Sequence, residues 1–286
     1  MTGRPELSVV VFSFRDEETV LAAVDSLREQ DEGIEIVVSH SGGGRTSDLL
    51  RARPDVRVLA SDARLLPGAA RNAGVAAAAG EHVAFLAADC LAAPGWVANR
   101  MRRHREGADA VASAVLPLVD SLPSRAVWLT EHSARLPTER PRVGALHGMS
   151  FARPLLERVG PFREDMVTGE DTLVTDAVRA AGARIAWAPE VVSLHRYPTT
   201  VRAAAADAFR RGVRRTEDRA DLGFTRPGLL VWALAGPRRG ARRALAPEGP
   251  LSALEVMELL PLMTMCAVVK AAGMLAGMVG RREWTR

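Results

Sequence analysis

The chain is poor in cysteine, lysine and aromatic residues. Its 286 residues hold two cysteines, Cys90 and Cys266, far apart and in no metal-ligand or redox spacing. A disulfide scaffold and a thiolate metal cluster are thereby excluded, and a reducing, cytoplasmic setting is expected. Lys270 is the only lysine, so no phosphate-binding loop of the Gly-Lys-Ser/Thr type exists. Aromatic residues make up 5%, and no basic tract interleaves with them, which argues against a nucleic-acid surface. No secretory leader is visible. The first apolar run, residues 7–14, is short and follows Arg4-Pro5-Glu6. Internal repeats and low-complexity linkers are lacking too.

What the chain does have is globular composition: 48% hydrophobic, 25% charged, net charge +4. That length suits one large α/β domain with additions, or two smaller ones. Residues 7–12 form a valine-rich run that reads as a strand buried on both faces. Asp16 is placed to cap a helix over 17–30, with Val20, Leu21, Val24 and Leu27 at helical spacing. Strands at 34–38, 56–59 and 83–86 follow, separated by a short helix near Asp48 and another opened by Pro67. This alternation predicts an α/β fold with a mostly parallel sheet flanked by helices.

Further on, a helix after Pro94, a strand over 110–116, a strand-like stretch at 145–152 and a helix over 171–181 are expected. Two short strands, 184–187 and 191–195, come next. Residues 121–142 carry Pro123, Pro137 and Pro141 and read either as a mobile segment over a site or as a long surface connection, with a helix around 126–133.

Residues 69–96 are the most informative stretch. Arg71 and Asn72 open a small-residue helix, and the apolar strand after it delivers Asp89 to its C-terminal end. Open α/β sheets bind ligands at that end. A carboxylate there suits a hard cation such as Mg2+ or Mn2+. Taken alone, Asp89 is better explained as a surface acid or a helix cap. Glu170 and Asp171 sit together at a helix start, where acids also complement the macrodipole by about 0.3–1 kcal/mol each. His195 ends a short strand, and a lone histidine has an ordinary structural explanation.

Taken in order, these segments resemble the family 2 glycosyltransferases, which have the GT-A fold. Ala87-Ala88-Asp89 stands where that family has Asp-x-Asp, so the last acid is kept and the first is absent. Gly169-Glu170-Asp171 resembles the family's Glu-Asp motif. The segment His147-Gly148-Met149-Ser150-Phe151-Ala152-Arg153, continuing to Gly160-Pro161-Phe162, is similar to its acceptor side, with Pro161 inserted. Arg71-Asn72 matches an Arg-Asn pair. Phe12-Ser13-Phe14-Arg15 and His40-Ser41-Gly42-Gly43 replace the usual base-binding residues, and the acid that often bonds the nucleobase is missing.

The resemblance covers residues 7–197. It implies transfer of a sugar from a nucleotide-diphosphate donor to an acceptor hydroxyl, by inverting displacement. Asp171 is then the base, with Glu170 beside it. Ser13, Phe14, Arg15, His40, Ser41, Arg71, Asn72 and Asp89 face the donor. His147, Gly148 and Met149 lie on the acceptor side, and Asp89 and His195 hold a divalent cation. The implied layout is a catalytic domain over 1–198, with a nucleotide-sugar half to 116 and an acceptor half from 117, and a helical extension over 199–286.

Two alternatives remain. A degenerate GT-A domain that binds a nucleotide sugar or a partner without turnover fits the missing acids. A dinucleotide-dependent oxidoreductase fits poorly, since Gly42-Gly43-Gly44 has the wrong spacing and follows the second strand.

Residues 259–280 are apolar apart from Lys270, and Gly273 and Gly277 give a G-x-x-x-G spacing. Their length approaches a bilayer span, but Lys270 near the centre costs about 3 kcal/mol on insertion scales, and Pro261 interrupts the run. A helix packed on protein and a helix touching membrane both fit. Arginine clusters before it suit peripheral association with the inner leaflet, and the acceptor is expected to be a carbohydrate, a lipid-linked group or a small molecule.

Overall fold

The computed structural model describes residues 4–15, 18–30, 33–138, 148–218 and 220–279. Its first elements are β1 (Leu7–Phe14), α1 (Glu18–Arg28), β2 (Glu35–Ser41), α2 (Thr46–Arg51), β3 (Val56–Ser61), α3 (Pro67–Ala77), β4 (His82–Ala87) and β5 (Cys90–Ala92). Then come α4 (Trp96–Arg105), β6 (Ala110–Pro117), α5 (Leu122–His132), β7 (Ser150–Ala152), α6 (Arg153–Val159), α7 (Glu170–Ala180) and β8 (Ile185–His195). The last four helices are α8 (Val201–Glu217), α9 (Arg226–Leu234), α10 (Gly236–Ala244) and α11 (Ala253–Met278). The chain divides into two compact units. Unit one is Met1–Ala114, Ala145–Met166 and Glu170–Leu194; unit two is Val115–Gly144, Val167–Gly169 and His195–Arg286.

Unit one is built on an eight-stranded sheet in the order β3-β2-β1-β4-β7-β6-β8-β5. β1 pairs in parallel with β2 and β4, and β2 with β3. β7 runs antiparallel to both β4 and β6. The sheet is thus a mixed GT-A-type α/β sheet with a parallel half. Strand order reverses between β1 and β4, which is where such sheets bind ligands.

Alternate residues of the valine run feed opposite faces of the sheet. Val9 and Val11 join Val20, Val24, Leu86 and Trp96, while Val10 joins Val37, Phe85, Phe151 and Phe162. Each such side chain contributes about 1.5–3 kcal/mol by leaving water. α3 lies close over β1. A Cβ at Gly74 would stand 2.2 Å from Val10 Cγ1, so even alanine there forces the helix off the strand.

Unit two is helical. Val115, Trp128, Leu129, Leu259, Met263 and Cys266 form its main core. α8 and α11 pack backbone to backbone through glycines. A Cβ at Gly212 would meet Lys270 O at 2.1 Å, one at Gly273 the Phe209 O at 2.2 Å, and one at Gly277 the Thr216 Oγ1 at 2.3 Å. The G-x-x-x-G spacing therefore serves a contact inside the unit. Lys270 is buried, with Nζ 2.7 and 2.9 Å from the two carboxylate oxygens of Glu131 on α5 and 4.6 Å from the Trp232 ring centre. Burial pushes the Lys270 pKa down, and Glu131 opposes that push.

Three local expectations change. The proline-rich connection holds α5, an eleven-residue helix. Pro123 falls in its first turn, where the missing N–H has no partner to lose, and the Ser121 side chain accepts from Ser124 N. The two short strands at 184–187 and 191–195 are one strand, β8. It runs unbroken through Pro189. The terminal helix starts earlier than the apolar run, at a capping box made by Ser252 and Glu255.

Candidate active site

In unit one the ends of β1 and β2 form one wall. Ser13 Oγ and His40 Nδ1 are 2.7 Å apart, and His40 Nε2 lies 3.1 Å from the Gly43 carbonyl. A carbonyl only accepts, so Nε2 carries the proton. In that tautomer Nδ1 accepts from the Ser13 hydroxyl. His40 is fully buried, and both its nitrogens are engaged by the protein. The Ser41 hydroxyl is also buried and donates to Ser13 O at 3.4 Å.

Phe14 and Arg15, by contrast, are exposed. The guanidiniums of Arg15 and Arg64 stand 5.3 and 5.0 Å from the Phe14 ring centre. Arg15 has φ +50°, an uncommon backbone state for a side chain of this size. Beside it, the turn after β2 holds Gly42 at φ +94°, where a Cβ would lie 2.7 Å from Arg15 Cγ. Strain of this kind gathers at ligand-binding turns.

α3 supplies Arg71 and Asn72. Arg71 is buried, with its guanidinium 4.1, 5.4 and 5.9 Å from the ring centres of Phe12, Phe162 and Phe85. It forms an ion pair with Glu170, the first residue of α7, which is buried as well. Burial pushes the Glu170 carboxyl up and the neighbouring Asp171 adds to this, against the pull of Arg71. The Asn72 amide donates to Phe162 O at 2.9 Å and accepts from Phe162 N at 2.9 Å, and it also donates to Glu164 at 2.8 Å. Its side chain thus pins the 162–164 segment to α3.

Asp89 follows β4 and is half-buried. Cys90 Sγ approaches its Oδ1 at 3.7 Å, a long thiol–carboxylate contact. Asp171 occupies the second position of α7, at the positive end of that helix. The Thr172 hydroxyl lies 3.5 Å from its Oδ1, and its own carbonyl accepts from Thr175 at 2.8 Å.

On the acceptor side, His147 lies outside the described residues. Gly148 has φ +64°, and its carbonyl accepts from Arg100 at 2.9 Å and from Ser113 at 3.1 Å. The Met149 carbonyl accepts from Phe85 N at 3.0 Å, fixing this segment beside β4. Arg100 was not singled out from the sequence. It is wholly buried over Trp96, 4.0 Å from the ring centre, and burial pushes its pKa down to about 9. The signal for it was its place four residues after Trp96, on the face shared with Val97 and Met101.

His195 belongs to unit two, where its surroundings were likewise not foreseen. Its ring stacks on Tyr197 at 4.2 Å with a 23° tilt and lies 5.3 Å from the His132 ring. Tyr197 OH and His132 Nδ1 are hydrogen-bonded at 2.6 Å. Burial, then His195 and Arg135, hold His132 well below the usual imidazole range.

The profile of glycosyl transferase family 2 matches residues 8–152. Succinoglycan biosynthesis protein ExoO of Rhizobium meliloti (strain 1021) is 30% identical over 210 residues, covering 65% of this chain and 59% of the relative. Pre-mycofactocin glycosyltransferase of Mycobacterium tuberculosis (strain CDC 1551 / Oshkosh) is 28% identical over 240 residues, covering 77% and 50%. The chain thus spans between half and three-fifths of these curated relatives.

Among solved structures, mannosyltransferase PcManGT from Pyrobaculum calidifontis, in complex with GDP-Man and Mn2+, superposes with TM-score 0.64 at 21% identity. It covers 98% of this chain and 89% of its own. S. aureus TarS 1-349 in complex with UDP-GlcNAc gives TM-score 0.56 at 15% identity, covering 97% and 92%. At these identities the likeness is one of fold.

Proposed function

This chain belongs to glycosyl transferase family 2, and on that basis we propose that it moves a sugar from a nucleotide-diphosphate donor to an acceptor hydroxyl, inverting the anomeric carbon. The observation that carries this reading is the Arg71–Glu170 pair, which fastens the start of α7 to α3 and so holds Asp171 on a rigid element. A base must reach the acceptor hydroxyl with its geometry set beforehand.

In this reading Asp171 takes the acceptor proton as the hydroxyl oxygen attacks the sugar and the nucleoside diphosphate leaves. Glu170 fixes the start of the helix beside it. Phe14, Arg15 and Ser41 receive the nucleotide. Ser13 and His40 brace the wall behind them, and Arg71 and Asn72 brace the α3 side. Gly148 and Met149 border the acceptor, with His147 assigned there by resemblance. Asp89 is an oxygen ligand of the kind Mg2+ and Mn2+ prefer. His195 keeps the role the resemblance gives it, a contact to cation or diphosphate. When bound, the cation offsets the charge that develops on the leaving diphosphate.

The Mn2+ and nucleotide sugars of the solved neighbours support a nucleotide-sugar donor and a divalent cation. The relative named for succinoglycan biosynthesis supports a role in polysaccharide or glycolipid assembly. We place the activity in the cytoplasm, at the inner face of the membrane, on a carbohydrate or lipid-linked acceptor.

A thermal-shift panel of nucleoside diphosphates and nucleotide sugars, with and without Mn2+, tests the binding half of this reading. A donor at about 100 times its Kd stabilises by about 2.7 kcal/mol. At least one is expected to raise Tm, more with Mn2+ than without. Asp89→Asn is expected to remove the Mn2+-dependent part. No shift with any member of the panel would contradict the reading.

A further inference from the structure

The polarity of α11 is inverted. Its lysine lies on the buried face, ion-paired with Glu131, while its outward face is apolar. Leu254, Met257, Pro261, Val268, Leu275 and Val279 recur at steps of three, four or seven residues and are all exposed, Leu254 by 66% and Val279 by 83%. Such spacing places them along one side of a helix. The polar exposed residues on that side are Glu258 and Thr264. The 26 residues of α11 make this stripe about 39 Å long. A soluble monomer rarely leaves so long an apolar strip to water.

The same unit carries the positive charge of the chain. By sequence it has 20 basic against 11 acidic residues, whereas unit one has 18 against 23. α10 packs on α11, and its Arg238 and Arg242, one turn apart, are exposed. Neither has a carboxylate partner among the described residues.

We propose that unit two docks on an anionic lipid bilayer through the outward face of α11, with Arg238 and Arg242 of α10 against the headgroups. The helix lies in the membrane surface and does not cross it, because its other face is fastened inside the unit. Gly273 and Gly277 are in backbone contact with α8, and Lys270 is locked to Glu131. Amphipathic helices with apolar and basic flanks bind in this way. A second copy of the chain fits less well as the occupant, since it would bring two units of net charge +9 together. The inference deepens the membrane location given above and rests on it only for the choice of leaflet. Vesicle binding and donor turnover can fail independently.

The test is co-sedimentation of the full chain with vesicles of phosphatidylcholine doped with phosphatidylglycerol, beside pure phosphatidylcholine vesicles. The doped vesicles are expected to pull the protein down, and added salt to weaken this. Arg238→Glu with Arg242→Glu should weaken binding about tenfold or more. Val268→Glu with Leu275→Glu should abolish it, with circular dichroism reporting whether that variant folds. If it does not, the arginine variant decides alone. A wild-type protein that stays in the supernatant overturns the proposal, as do variants that sediment like wild type. So does a concentration-dependent dimer that Val268→Glu with Leu275→Glu splits in the absence of vesicle binding.

Discussion

The Arg71 guanidinium has exchanged water for three phenylalanine rings and one carboxylate. Taking either charge of this buried pair alone leaves the other uncompensated, at a cost of about 3–5 kcal/mol. Arg71→Met should therefore destabilise the protein by about that amount. Arg71→Met combined with Glu170→Leu should recover most of the loss, because a matched apolar pair leaves no charge behind. Urea denaturation of the two variants checks this, and a double variant no better than the single one would mean the pair is not the lock described. The partners lie 99 positions apart, which is why no spacing rule could pair them, although each was legible as a candidate on its own. His40 was legible as a residue at a strand end, but the direction of its ring depends on Ser13 and the Gly43 carbonyl, which only the fold brings together.

Among the elements, α11 owes its start to Glu255. That carboxylate accepts from Ser252 N at 2.8 Å and from Arg125 at 2.6 Å, and these bonds lower its pKa to about 2 from an ordinary 4.5. The folded value lies below the unfolded one, so the stabilisation is complete above pH 4.5 and fades as pH falls toward 2. The stability difference between wild type and Glu255→Gln should accordingly be constant near neutrality and shrink steadily below pH 4.5 in urea titrations. A difference that does not change with pH would assign the cap to Ser252 alone. The early strands were readable because valines packed on both faces leave an unbroken apolar run. The start of α5 and the continuity of β8 were missed because proline reads as a breaker, yet Pro123 sits in a first helical turn and β8 runs through Pro189. The apolar run of α11 was plain. Its orientation was not, because the partner of Lys270 lies 139 positions away.

At the scale of the molecule, chemistry and charge are separated. Unit one holds Arg71, Asp89 and Asp171 and has a net negative charge, while unit two is strongly basic with an inside-out helix. That division suits an enzyme that handles a soluble donor in one part and meets a surface with the other. The central claim concerns unit one alone: Asp171 is the base of a sugar transfer. It is tested most directly by measuring nucleoside diphosphate released from a stabilising nucleotide sugar in the presence of Mn2+. Wild type should release it slowly into water, and Asp171→Asn should cut the rate by about a hundredfold or more while still binding the donor. A wild-type protein that binds donor without releasing diphosphate, or an Asp171→Asn variant that releases it at the wild-type rate, would contradict the account.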